Sequence, residues 1–330
     1  MQKVSRRRFL VWSAAGLGLA ALPGLAGRVT GERGVETDDP REPSLWSQEI
    51  PAIAEAPVFA GDISVDLAIV GAGYTGLACA FYVKTFRPEW KVAVLESHRV
   101  GSGASSRNSG AVYARYRGGA PAGLADRGLA RLERFIDEQH IDCNFRRARA
   151  IEVFSSKWMA ERALGHHEGR ARRISEGELA EHAGTSYYRY ALELSDYYSV
   201  HPAKLVAGHA AAARRAGVEI YERSPVVSIE GHRPFRLRTP RGSVSARRVF
   251  VATNAYTPRL GLFARQMMPV HQYSVATRRL TPDEIERFGL DRWDMRFEPH
   301  VLPVTCALTP SGHFFARIVL GYASFNSCTW

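Results

Sequence analysis

The sequence predicts an α/β chain: a Rossmann-like, mostly parallel sheet flanked by helices, interrupted by a second lobe built on a mixed β-sheet. Three observations predict it. A short run rich in β-branched residues, Val65–Val70, leads through a glycine turn into a helical stretch and then a second apolar run, Lys91–Leu95. That strand–helix–strand order belongs to a parallel sheet buried on both faces. Similar runs return much later, at Val218–Tyr221 and Val244–Val251, with other β-like segments lying between and after them. The chain has 330 residues, of which 45% are hydrophobic and 23% charged, enough for two domains or one large domain with a second lobe.

The N-terminus reads Ser5-Arg6-Arg7-Arg8-Phe9-Leu10 and continues into a mild apolar stretch from Val11 to Ala26. Paired arginines before Phe-Leu resemble a twin-arginine export signal over residues 1–27, which implies an exported, periplasmic protein; the alternative is a basic start to a cytoplasmic one. The apolar stretch holds Gly16, Gly18, Pro23 and Gly24 and is short, so a stable membrane span is not expected. Residues 28–61 are rich in Gly, Pro and acidic side chains and read as a linker, lying over the surface through Leu45, Trp46 and Ile50. The formal charge of +11 is scattered apart from the N-terminal cluster, which argues against a nucleic-acid partner. Cys79, Cys143, Cys306 and Cys328 form no CxxC pair and read as buried thiols, with no metal site.

The chemistry begins at Gly71-Ala72-Gly73-Tyr74-Thr75-Gly76, directly after the first strand. Gly71 permits the turn, Gly73 leaves room for a pyrophosphate at the backbone, and Gly76 lets the helix close on the strand. The helix N-terminus offers free N–H groups and partial positive charge to phosphates. Glu96 ends the second strand, 20 positions past Gly76, where a carboxylate accepts hydrogen bonds from an adenosine ribose and repels a 2′-phosphate. Ser97 follows it. The motif alone leaves FAD and NAD open. Past Glu96 a long run of small and polar residues, Gly101 to Gly110, replaces the next helical unit of a nicotinamide domain. Such a run wraps an extended cofactor; by composition alone it is also compatible with a surface loop.

Taken together, Ile69–Leu77, Glu96, Gly103-Ala104-Ser105-Ser106-Arg107-Asn108-Ser109-Gly110 and the later Ala252-Thr253-Asn254-Ala255-Tyr256-Thr257 resemble the FAD-dependent oxidoreductases of the D-amino-acid-oxidase type, near the gamma-glutamylputrescine oxidase-like and sarcosine oxidase-like amine oxidases. The resemblance implies that Gly71, Gly73, Tyr74, Thr75, Gly76, Glu96 and Ser97 hold the ADP half. It places Gly103, Ala104, Ser105, Arg107, Asn108, Ser109 and Gly110 along the pyrophosphate toward the flavin ring. Val226 would present backbone to the adenine, and Ala252, Thr253 and Asn254 would close over the cofactor. Some relatives attach the flavin through a His in the Ser/Gly-rich loop. Ser106–Ser109 contains none, so FAD is expected to be non-covalent.

Helices are expected over Leu77–Thr85, Ala122–His140 and Pro202–Arg215, the last stopped by Gly217. Strands are expected at Ile151–Phe154, Val226–Glu230, Phe235–Thr239, Pro269–Thr277 and Phe314–Leu320. The implied organisation is a cofactor domain over 62–139 and 196–264, and a substrate lobe over 140–195 and 265–330. No Ser/His/Asp set or carboxylate pair stands out, in keeping with chemistry carried by a cofactor. Tyr256, His271 and Tyr273 are the candidates facing a small-molecule amine, with His271 expected as the lone His of the second sheet. Oxygen or another acceptor would reoxidise the flavin. Other readings are a monooxygenase-type flavoenzyme using NAD(P)H and a non-catalytic flavoprotein fragment. The resemblance also implies a last glycine-rich turn and helix beyond the Leu308–Arg317 hairpin. Its absence from the sequence predicts weak FAD binding, low or no turnover and poor solubility unless a partner chain supplies the missing part; the competing expectation is that the N-terminal linker rebuilds that wall.

Overall fold

The computed structural model describes residues 43–113, 123–167, 169–183, 185–267, 271–298 and 304–321. Residues 1–27, read as an export signal, and residues 28–42 of the expected linker lie outside them. All of these residues belong to one of the two units of the chain, Asp39–Trp330.

The first sheet is built on four parallel strands: β1 (Gly61–Val70), β2 (Val92–Leu95), β9 (Glu219–Tyr221) and β12 (Gly242–Val251). An antiparallel meander of β11 (Phe235–Thr239) and β10 (Ser228–Glu230) extends it beside β12, giving the order β10-β11-β12-β1-β2-β9. Helix α2 (Tyr74–Phe86) and helix α6 (Pro202–Arg215) cover one face, where Leu77, Ala80, Val206 and Ala210 meet Leu67, Ile69, Val92 and Val94. On the other side Ala68, Val70, Ala93 and Leu95 cluster with Leu237, Val244 and Ala246. Burial on both faces is why β1 and β2 read as continuous apolar runs rather than alternating ones. Each such side chain contributes about 1.5–3 kcal/mol by leaving water. Helix α6 starts where Pro202 occupies the first turn and the His201 side chain accepts from Lys204 N; Gly217, at φ +84°, follows its end.

The second sheet runs β13-β16-β15-β14-β5-β7-β6. Its strands are β5 (Ala150–Phe154), β6 (Ala171–Ile174), β7 (Tyr190–Leu194), β13 (His271–Arg279), β14 (Met295–Glu298), β15 (Val304–Leu308) and β16 (His313–Gly321). The β14–β5 pair is parallel and all others are antiparallel, so residues from two distant stretches of chain share one mixed sheet. Buried Trp293, Leu179 and Ala183 pack against it. A small ribbon, β3 (Ala111–Tyr113), β8 (Tyr197–Ser199) and β4 (Arg146–Arg147), joins the Gly101–Gly110 stretch (the cofactor loop, after the role expected for it) to the segments entering this sheet.

Three expectations need correction. The strand expected from Val226 begins at Ser228, because Val226 lies before the first pair of the ladder with β11. Residues 28–61 are not linker throughout: β1 starts at Gly61, and Leu45–Gln48 forms helix α1, capped by the Ser44 side chain. Trp46, one of the side chains expected to fasten this stretch over the surface, is 4% exposed. His271 is not the lone His of its sheet, since His313 opens β16.

Candidate functional site

The parallel strands end in register. Val70 lies beside Leu95 and Val251, and Leu95 beside Tyr221. The bonds Gly71 N–H to Leu95 O, Glu96 N–H to Tyr221 O and Ala252 N–H to Val70 O carry that alignment one residue further. Gly71, Glu96, Glu222 and Ala252, scattered over 182 positions of sequence, therefore share the carboxyl edge of one sheet. Crevices outside such edges are where open α/β sheets bind ligands.

Gly71 holds φ +106°, and a Cβ there would stand 2.8 Å from Ala252 O. No other residue fits the turn. At Gly76 a Cβ would stand 2.0 Å from Gly71 O, so the glycine lets α2 sit directly on the strand. At Gly73 the nearest atom to a Cβ is the Ser105 hydroxyl, at 2.8 Å. That hydroxyl accepts from Tyr74 N–H at 3.0 Å and so caps the first turn of α2. The amides of Thr75 and Gly76 meet no acceptor among the described residues. Free N–H groups and the helix dipole make this end of α2 anion-attracting. Glu96 reaches back to the same turn: one oxygen accepts from Ala72 N–H at 2.8 Å, the other from His98 N–H and the Ser97 hydroxyl. A carboxylate offers about four acceptor positions, which leaves capacity for a further donor.

The family model that matches the chain is the DAO model, described as FAD dependent oxidoreductase, over residues 66–324. The chain belongs to the FAD-dependent oxidoreductases. It is 31% identical over 249 residues to gamma-glutamylputrescine oxidoreductase of Escherichia coli (strain K12), covering 67% of this chain and 57% of that protein. A probable oxidoreductase OrdL of Rhizobium meliloti is 26% identical, over 71% of this chain and 60% of that one. The match thus spans less than two thirds of the length of these relatives. Among solved structures, glycine oxidase from Geobacillus kaustophilus superposes with a TM-score of 0.64 at 22% identity, over 79% of this chain and 73% of that one. L-Amino acid deaminase from Proteus myxofaciens gives 0.62 at 16% identity, over 81% and 61%. Both share the fold.

The residues at the edge fit an FAD. The space over Gly73 is bounded by a hydroxyl that serves a phosphate as readily as a backbone amide. Two amides are free, and Glu96 has acceptor capacity left. Val226, proposed for the adenine, has neither its N–H nor its C=O bonded to a described residue. In the cofactor loop, Ala104–Ser106 forms a 3-10 turn. The Asn108 amide group donates to Ala104 O and Ser105 O while its oxygen accepts from Gly110 N–H. Arg107 Nε donates to Ser102 O. These bonds hold the loop in one shape, with Gly103 open to space and Ser109 buried.

Not every candidate points at this edge. The Tyr74 hydroxyl donates to Pro202 O and its ring packs on His209, so its side chain is structural and only its amide serves the turn. Burial pushes its phenol well above the usual range. Thr253 bonds Thr257 through their hydroxyls, and Asn254 adopts φ +49° to start a 3-10 segment, Asn254–Leu260. Tyr256 lies in that segment with the Arg259 guanidinium 5.6 Å from its ring centre. His271 opens β13, paired with Gly321; its side chain lies outside the described residues. Tyr273, two residues on, is half-buried.

Sequence reasoning missed Glu222. It is 3% exposed, and its carboxylate accepts from Val100 N–H at 2.7 Å and Ala56 N–H at 3.0 Å. Ser224, two residues on, accepts from Phe59 N–H at 2.8 Å and its own N–H donates to Glu96 O. These two residues clamp the stretch after Glu96 and the chain entering β1. An acid immediately after a strand of the parallel sheet, Tyr221-Glu222, was the available signal, since an acid buried there is rarely without partners. Of the cysteines, Cys143 and Cys306 are buried and Cys79 half-buried; burial pushes the Cys143 thiol up to about 11, far from a nucleophile's range. Cys328 lies outside the described residues. Among these residues, no helix is long and apolar enough to cross a membrane.

Proposed function

We propose that the protein oxidises a primary or secondary amine, an amino acid or polyamine derivative, by hydride transfer to non-covalently bound FAD. One observation carries the reading: four parallel strands end together so that Gly71, Glu96 and Ala252 share one sheet edge beside the first-turn amides of α2 that meet no acceptor among the described residues. The relatives include a gamma-glutamylputrescine oxidoreductase and a glycine oxidase, which supports the substrate class. Thr75 and Gly76 amides would hold the phosphates, Glu96 a ribose hydroxyl, and the Val226 backbone the adenine. Ser105, now on Tyr74 N–H, would share that amide with a phosphate oxygen. When bound, FAD supplies the acceptor for the hydride leaving the carbon next to nitrogen. The protein's part is to position that C–H bond and exclude water. Residues 62–139 and 196–264 would form the cofactor domain, and 140–195 and 265–330 the substrate lobe, with Tyr256 and His271 toward the amine. Oxygen or another acceptor would complete the cycle, after export directed by Arg6 and Arg7.

The test is anaerobic addition of a panel of amines to the FAD-loaded chain. Bleaching of the flavin's visible bands by an amine, without NAD(P)H, is the expected result. Bleaching by NAD(P)H and by no amine would remove this reading.

A further inference from the structure

Ahead of residue 66, where the family match begins, the segment Ser44–Glu49 is fastened across the Ser106–Asn108 end of the cofactor loop. Trp46 Nε1–H donates to Asn108 O at 2.8 Å, and the Ser47 hydroxyl reaches the Ser106 hydroxyl at 3.4 Å. At the far end, Glu49 accepts from the Ser311 hydroxyl in the β15–β16 turn and stands 3.3 Å from buried His201 Nε2. The indole packs edge-on against His201, with ring centres 5.0 Å apart, and lies 6.3 Å from the Phe315 ring. The segment thus ties three parts together: the cofactor loop, the start of α6 and the second sheet. Under it lies a small cleft walled by Trp46, Ser109, Arg146, His201, Met295 and Leu308. Ser109 belongs to the cofactor loop, while Met295 and Leu308 belong to the second sheet, so the cleft lies between the two, the place that the proposed function assigns to the amine.

We propose that Trp46 is a positioning residue of this cleft, a wall that sets the size of the amine admitted, and that the Ser44–Glu49 strap holds the cofactor loop in its binding shape. The size claim rests on the amine-oxidising reading above; the strap claim does not. A rigid indole held at both its edge and its face makes a steric wall, and steric walls discriminate against added bulk rather than against charge. The pair Arg146–Asp294, 2.8 Å apart, supplies the polar side of the same cleft.

The test uses the full chain and four variants: Trp46→Ala, Trp46→Leu, Trp46→Phe and, as a control, Trp158→Ala, which alters an exposed helix face. Hydrogen exchange of residues 101–110 is measured without added cofactor. Exchange at least tenfold faster in Trp46→Ala and Trp46→Leu, with the control unchanged, is expected; equal exchange would overturn the strap. With FAD, kcat and KM are measured for n-butylamine and benzylamine. The two opened variants should shift the benzylamine-to-butylamine ratio of kcat/KM at least tenfold toward benzylamine, through KM, while Trp46→Phe keeps the wild-type ratio. An unchanged ratio in both opened variants would overturn the wall. Should Trp46→Ala not fold, Trp46→Leu decides. If the wild-type chain oxidises no amine yet loop exchange still rises in the variants, the amine reading fails and the strap stands.

Discussion

At the scale of single residues, the site depends on atoms that are missing as much as on those present. Gly73 faces the one stretch of backbone where a phosphate would lie, with only the Ser105 hydroxyl nearby. Replacing Gly73 with Val puts a branched side chain into that space without requiring a positive φ. The variant should fold, with an unchanged circular dichroism spectrum, and should retain no flavin through gel filtration. Flavin retained at the wild-type level would show that the phosphates lie elsewhere. Buried His209 makes a separate point. Burial holds its imidazole below the ordinary value of 6.5, against a hydrogen bond to Leu205 O that acts the other way. A histidine depressed in the fold binds fewer protons than in the unfolded chain. Its stability penalty is therefore absent above 6.5 and grows as the pH falls below it. His209→Phe keeps an aromatic ring between Tyr74 and Phe135 and should flatten the decline of melting temperature on that acid side. A decline as steep as the wild type's would assign the acid sensitivity to other groups.

At the scale of elements, β1, the turn and α2 act as one piece. A Cβ at Gly76 would enter the carbonyl of Gly71, a backbone atom that cannot swing away. Gly76→Ala should thus cost about 1–3 kcal/mol by forcing helix and strand apart, read as a lower midpoint in urea unfolding; an unchanged midpoint would mean that the helix shifts freely. This unit was legible in the sequence because its signals are local: an apolar run, three glycines at fixed spacing, a helical period and an acid at the end of the next strand. The proline-led start of α6 was legible for the same reason, whereas the Leu308–Arg317 hairpin came from the family resemblance. Glu222 and Trp46 were not. Glu222 matters through amides at Ala56 and Val100, and Trp46 through Asn108 and His201, contacts that span from 62 to 166 positions and leave no local pattern. Composition read the Trp46 segment as linker because its partners lie so far along the chain. Likewise, no sequence signal foretold that the Tyr74 ring would face His209 while its amide faces the turn.

At the scale of the whole molecule, a parallel sheet and a mixed sheet are drawn from alternating stretches of chain, and the described cradle lies at the edge of the first. The export reading belongs to this scale, because a protein carried across a membrane folded must already hold its cofactor. Changing Arg6 and Arg7 to Lys keeps the charge and loses the guanidinium fork, so the variant should remain in the cytoplasm with its flavin; export at the wild-type level would refute the signal. The central claim, that the carboxyl edge of the parallel sheet is an FAD site, is tested most directly by titrating FAD into the purified, cofactor-stripped full chain and following flavin fluorescence and visible absorbance. Saturable, one-to-one uptake that Gly73→Val abolishes is the expected result. No uptake by the wild-type chain, or equal uptake by the variant, would contradict it.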